Sequence, residues 1–172
     1  MARQKAKREP AAARTPLQRA REAGLNYLSR RARSAHEVAQ RLRQKEFAED
    51  IVAEVIADLE RLRFLDDRAF ARRWVEARLE RATGARKLAQ DLRRKGLDGT
   101  LIDEVLAEYA PQLDAPDRAV DLLRKQAWRY RSLDRDKAQR RMLGFLARRG
   151  YDGQTAWKAI ERVWKELEED EV

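Results

Sequence analysis

Two adjacent carboxylates, Asp66 and Asp67, are by type the residues of this chain best suited to hold a metal ion or move a proton. A single histidine, His36, is its only imidazole. Neither has the company such chemistry needs. A histidine-based metal site or nucleophilic triad takes further ligands or partners. Cysteine is absent, which excludes disulfides and thiolate metal sites. No Gly-x-x-x-x-Gly-Lys-Ser/Thr phosphate loop occurs. Asp66 and Asp67 stand just before a helical run that begins near Arg68, where a carboxylate accepts from the first unpaired helical N–H groups. Their expected role is therefore capping. His36, near the start of another helical run and beside Ser34, is expected at the surface. On these residues the chain is not an enzyme, and it carries no catalytic group, metal site or cofactor.

The chemistry the sequence does carry is cationic. Of its 172 residues 39 are Lys or Arg and 30 are Asp or Glu, for a net charge of +9. Residues 1–22 hold seven bases and two acids, and 166–171 hold five acids and no base. Between them, 23–165 hold 32 bases and 23 acids, so the body is basic on its own. A basic body suits an anionic partner, nucleic acid above all; a solvated helical surface explains the same count. The bases also gather. Arg72, Arg73, Arg78 and Arg81 share one run; Arg86 and Lys87 open the next, and Arg93, Arg94 and Lys95 close it. Arg148 and Arg149 close a later run, as Arg41, Arg43 and Lys45 close an earlier one. Cations at helix C-termini complement the helix dipole by about 0.3–1 kcal/mol each. Their recurrence at equivalent places also lets the residues from Arg72 to Arg149 line one partner- or DNA-facing surface.

The elements that must position these residues are helices. From Leu17 onward apolar residues follow a helical period, and alternating or β-branched runs are missing. Asp98 and Asp152 stand where caps belong, and Gly96 and Gly150 where a left-handed C′ residue belongs. Residues 36–56 align with 86–106 at a constant offset of 50, and 137–160 follow the second copy at an offset of 54. Val38 and Leu42 thus correspond to Leu88 and Leu92, and these to Met142 and Leu146. A further helix precedes each copy, over 17–31, 67–81 and 116–130. The fold expected is all-α: three tandem three-helix repeats, elongated and slightly curved. Their bounds are 17–66, 67–115 and 116–165, with a disordered basic arm over 1–16 and an acidic tail over 166–172. Ile51, Val52, Val55, Ile56, Leu59 and Leu62 form one apolar stripe. Phe70, Trp74, Trp128, Trp157 and Trp164 stand at helical spacing, and rings so placed are expected in the core. No apolar run approaches the length of a membrane span, and 1–14 lack the apolar centre of a signal peptide. A soluble, cytoplasmic, monomeric protein is expected.

Residues 63–98 carry a more specific pattern. Phe64, Leu65, Asp66, Asp67 and Phe70 are followed by Arg78, Gly84 and Arg86, and then by Leu92, Lys95, Gly96 and Leu97. With Phe-Leu-Ala-Arg-Arg-Gly-Tyr-Asp at 145–152 and the three-repeat layout, this resembles the RecX family over about residues 20 to 165. The pattern departs at Glu46, which stands where the other repeats have Gly96 and Gly150, and at Ala82-Thr83-Gly84, which is poorer in glycine than many members. The resemblance implies a regulator that binds the recombinase RecA and its nucleoprotein filament on DNA. It implies inhibition of the recombinase, ATPase and coprotease activities, within homologous recombination, DNA repair and the SOS response. It also leaves room for weak binding of single- or double-stranded DNA. Two other functions fit paired short helices. One is a helix-turn-helix regulator, disfavoured because the helices that would read bases are acidic. The other is a helical scaffold for an ordinary protein partner.

Overall fold

A computed structural model describes residues 14–169, and among these every regular element is helical. Two compact units divide at Phe70 and Ala71. The first 13 residues of the expected arm and the last three of the expected tail lie outside the described residues.

The first unit holds α1 (Pro16–Leu28), α2 (Ala35–Arg43) and α3 (Glu49–Arg61). Thr15 caps α1 and Pro16 opens it, so the helix starts inside the stretch assigned to the arm. Ser34 caps α2 through a reciprocal pair with Glu37. Val38, Leu42, Val52, Val55 and Leu59 are buried together with Ala20 and Leu65. Leu62 is 49% exposed, against the expected stripe. The helix stops at Arg61, and the left-handed Arg63 turns the chain so that Leu65 fills the core instead.

The second unit runs through α4 (Asp67–Leu79), whose first turn belongs to the first unit, then α5 (Ala85–Arg94) and α6 (Gly99–Glu108). A single-turn helix, α7 (Ala110–Leu113), and α8 (Asp117–Arg124), α9 (Arg135–Arg148) and α10 (Gly153–Glu169) complete it. The helix expected over 116–130 ends at Arg124 and gives way to a 3-10 turn at Ala127–Arg129. The last helix continues to Glu169, past the expected boundary at 165 and into the expected tail. Leu88, Leu92, Met142 and Leu146 are fully buried, like their counterparts Val38 and Leu42.

Two aromatics depart from the expected core: Trp128 is 72% exposed and Trp157 43%. Trp128 lies beyond the end of α8, in the 3-10 turn, and so does not continue the buried face that Ala119, Val120 and Leu123 make on that helix. Trp157 flanks a stripe made by Ala156, Ala159, Ile160, Val163 and Leu167. Phe70 is buried as expected, and Trp74 and Trp164 are half-buried.

Candidate interaction surface

The geometry of the basic helix ends follows from one repeated backbone turn. After α2, α5 and α9 the chain passes through a left-handed residue: Glu46 (φ 62°), Gly96 (φ 79°) and Gly150 (φ 87°). Each time the backbone N–H of the residue just after the left-handed one returns to the carbonyl of a buried leucine in the last turn of the helix. Phe47 donates to Leu42 (3.3 Å), Leu97 to Leu92 (3.3 Å) and Tyr151 to Leu146 (3.1 Å). Glu46 thus makes the same turn as the glycines, at the cost a side chain bears there. The turn holds Lys45, Lys95 and Arg149 at one place in three repeats.

The aspartates cap, as their spacing predicted, but not both in the same helix. Asp66 Oδ1 accepts from Ala69 N–H (2.9 Å) at the start of α4. Asp67 Oδ1 accepts from Ala35 N–H (2.8 Å), across the first unit at the start of α2. Burial raises the Asp67 carboxyl above the ordinary aspartate value. Asp98 and Asp152 cap α6 and α10. Among the described residues no acidic or imidazole cluster could hold a metal ion.

The eleven candidate cations have different surroundings. Arg72 makes two hydrogen bonds with Glu108 (2.7 and 2.9 Å). Lys87 and Arg94 share Asp91. Arg78 lies over the Trp74 ring, 3.4 Å from its centroid, and Lys95 approaches the same ring at 5.1 Å. Burial lowers the Arg78 pKa from its ordinary value. Arg149 stands 5.4 Å over Phe145. Arg73, Arg81, Arg86, Arg93 and Arg148 are exposed and make no ion pair among the described residues. Six of the eleven thus have contacts within the fold, and five point outward unpaired.

The turn at Ala82-Thr83-Gly84 makes a joint between the second and third repeats. Gly84 N–H donates to Arg149 O (2.9 Å), Arg86 N–H to Gly150 O (3.1 Å) and the Tyr151 hydroxyl to Ala82 O (3.2 Å). A side chain on Gly84 would stand 2.4 Å from the Gly150 backbone, and one on Gly150 would stand 2.4 Å from Lys87 N. The basic ends of α9 and the basic start of α5 are held together through this contact.

Each unit also carries a basic groove. In the first repeat Arg19, Arg30, Arg33, Arg41 and Lys45, with Glu22, Asn26 and Tyr27, line about 450 Å3 between α1 and α2. In the third, Arg129, Arg140, Arg141 and Arg148, with Gln126, Tyr130, Gly144 and Phe145, line about 330 Å3. Both use the same stretch of the repeat's second helix, since Arg41 and Gln44 correspond to Phe145 and Arg148 at the sequence offsets. Arg19, Arg30, Arg33, Arg129, Arg140 and Arg141 were outside the candidate set. At the sequence offsets only Arg140 and Arg141 correspond to bases of the candidate set, Arg86 and Lys87; Arg19, Arg30 and Arg129 fall on Ala69, Glu80 and Val75, so the repeat pattern does not reveal them.

Family models described as the first, second and third three-helix domains of RecX match residues 20–59, 66–106 and 114–160. The regulatory protein RecX of Streptomyces coelicolor is 35% identical over 158 residues, spanning 91% of this chain and 84% of that protein. That of Mycolicibacterium smegmatis is 35% identical over 152 residues, spanning 86% of this chain and 80% of that protein. A crystal structure of RecX from Lactobacillus salivarius superposes with a TM-score of 0.77 at 26% identity, covering 89% of this chain and 97% of that one.

Proposed function

The chain belongs to the RecX family of regulatory proteins, and on that premise we propose that it binds RecA and the RecA filament on DNA and inhibits them. RecX is a family of regulators of RecA and not a family of enzymes. The recombinase, ATPase and coprotease activities of RecA are the ones it opposes, acting as a monomer in the cytoplasm. Homologous recombination, DNA repair and the SOS response are the processes it restrains.

The observation that carries this reading is the repeated placement of cations. Arg93 and Arg148 close the second helices of their repeats, exposed and without ion pairs among the described residues. Helix-dipole complementarity would be served by paired side chains equally well, so their unpaired state supports a partner-facing role. The helix-turn-helix alternative gains nothing from the structure, because α3 opens with Glu49 and Asp50 and α6 carries Asp103 and Glu104.

The test is a titration of the protein into RecA ATPase and strand-exchange reactions. The wild type inhibits both, and moderate salt weakens the effect. Arg93→Gln/Arg148→Gln keeps its melting temperature within a few degrees and inhibits far less. Equal inhibition by this variant and the wild type at both salt levels moves the interface elsewhere. Absence of inhibition by the wild type refutes the function.

A further inference from the structure

We infer that the third repeat carries a binding site for single-stranded nucleic acid, in which a base stacks on Trp128 and the backbone runs along the arginines of the groove between the 3-10 turn Ala127–Arg129 and α9. Trp128 is the most exposed large hydrophobic residue among those described, at 72%. It sits in the 3-10 turn Ala127–Arg129, which presents it away from the core that holds Tyr130. Leaving an indole so open forgoes the hydrophobic gain of burial, about 25 cal/mol per Å2 of apolar surface. An occupant that covers the ring recovers it.

The surroundings of the ring identify the occupant. Arg129 lies 5.4 Å over Trp128 and also lines the groove with Arg140, Arg141 and Arg148. None of these four arginines makes an ion pair among the described residues; Arg129 bonds the Gln126 amide and Arg140 the Asp136 carbonyl. Four unpaired guanidiniums call for a polyanion. An exposed indole beside them distinguishes among polyanions. A base offers a flat π face, and base–aromatic stacking tolerates any base. A carboxylate has no such face, and the negative face of the ring repels it. A duplex satisfies the arginines but keeps its bases stacked inside. Single-stranded nucleic acid uses both parts.

The groove of the first repeat makes the contrast. It is as basic and larger, but the ring lining it, Tyr27, is covered by Arg33 at 4.2 Å. It can attract phosphates without offering a stacking face.

The experiment needs no RecA, so its failure leaves the RecA reading intact, and the reverse holds too. Fluorescence anisotropy of a labelled short oligothymidylate is followed on titration with the whole protein, beside a duplex of equal length. The wild type prefers the single strand. Trp128→Ala weakens single-strand binding by about tenfold, the lower part of the range for one stacked base, and leaves duplex binding nearly unchanged. Trp128→Phe restores most of the affinity, since a smaller ring still stacks. Arg140→Gln/Arg141→Gln weakens both and flattens the dependence on salt. Circular dichroism melts of the Trp128 variants match the wild type, because the ring is outside the core. The inference is overturned if the wild type does not bind the single strand, or if Trp128→Ala binds it as well as the wild type. It is equally overturned if polyglutamate displaces the oligonucleotide as effectively as unlabelled oligothymidylate, which would mark a site for an acidic protein.

Discussion

The three helix-ending turns form a natural series for a stability experiment, because one backbone conformation meets three surroundings. At Glu46 a side chain already occupies the left-handed region, at φ 62°, and is exposed. That conformation costs an L-residue roughly 1–2 kcal/mol. Glu46→Gly removes this strain while gaining roughly 0.5–1 kcal/mol of unfolded-state freedom against it. A net stabilisation of about 0.5–1 kcal/mol follows. Gly96→Ala runs the same change in reverse at an exposed turn with φ 79° and should cost about 1 kcal/mol. Gly150→Ala adds a collision. Its Cβ would stand 2.3 Å from Lys87 Cβ and 2.4 Å from Lys87 N, so backbone must move. Movement there opens the Arg86–Gly150 and Gly84–Arg149 hydrogen bonds, each worth about 1 kcal/mol. The total is about 3 kcal/mol or more. At about 2–4 °C per kcal/mol for a chain of this size, scanning calorimetry should show a rise of about 2 °C, a fall of about 3 °C and a fall near 10 °C. Calorimetry is preferred because two units can melt as two transitions. Equal losses for Gly96→Ala and Gly150→Ala would refute the close approach as the cause. A loss on Glu46→Gly would refute the strain.

Tyr151→Phe removes the hydroxyl that bonds Ala82 O and leaves the ring buried. It should cost about 1 kcal/mol, read as a shifted urea midpoint with an unchanged slope. Asp67→Asn keeps an oxygen acceptor for Ala35 N–H and removes a carboxylate whose pKa burial has raised. A raised folded pKa gives stability that is present below the unfolded value and lost as pH rises through the folded one. The variant should therefore gain on the wild type at neutral pH and lose that advantage below the ordinary aspartate range, as melts across pH will show. Hydrogen bonds from Arg43 and Arg124 hold Glu49 and Glu166 below their ordinary values. Their stabilisation is present above the unfolded glutamate value and lost as pH falls through the folded ones, so Glu49→Gln/Glu166→Gln should flatten the acid side of the wild-type profile.

The sequence by itself determined the helical class, the three repeats and the caps. These are local: an aspartate before a helical run or a glycine after one acts on neighbouring backbone groups, and the 50-residue offset is arithmetic on the chain. It also marked Glu46 as the odd member of its series, and the backbone there bears the strain that its substitution for glycine implies. The family pattern in 63–98 was legible for the same reason. Tertiary structure decided what depends on which side of a helix meets which neighbour. Helical spacing alone put Trp128 and Trp157 in the core; the actual buried stripes run through Val120 and Leu123 and through Ala159 and Ile160, leaving both rings outside. It also decided which cations remain open. Arg72 finds Glu108 from 36 residues away, and Arg129 joins Arg140, Arg141 and Arg148 in one groove from a different element. Charge counted along a sequence fixes how many cations there are; only packing assigns each a carboxylate, a ring or open water.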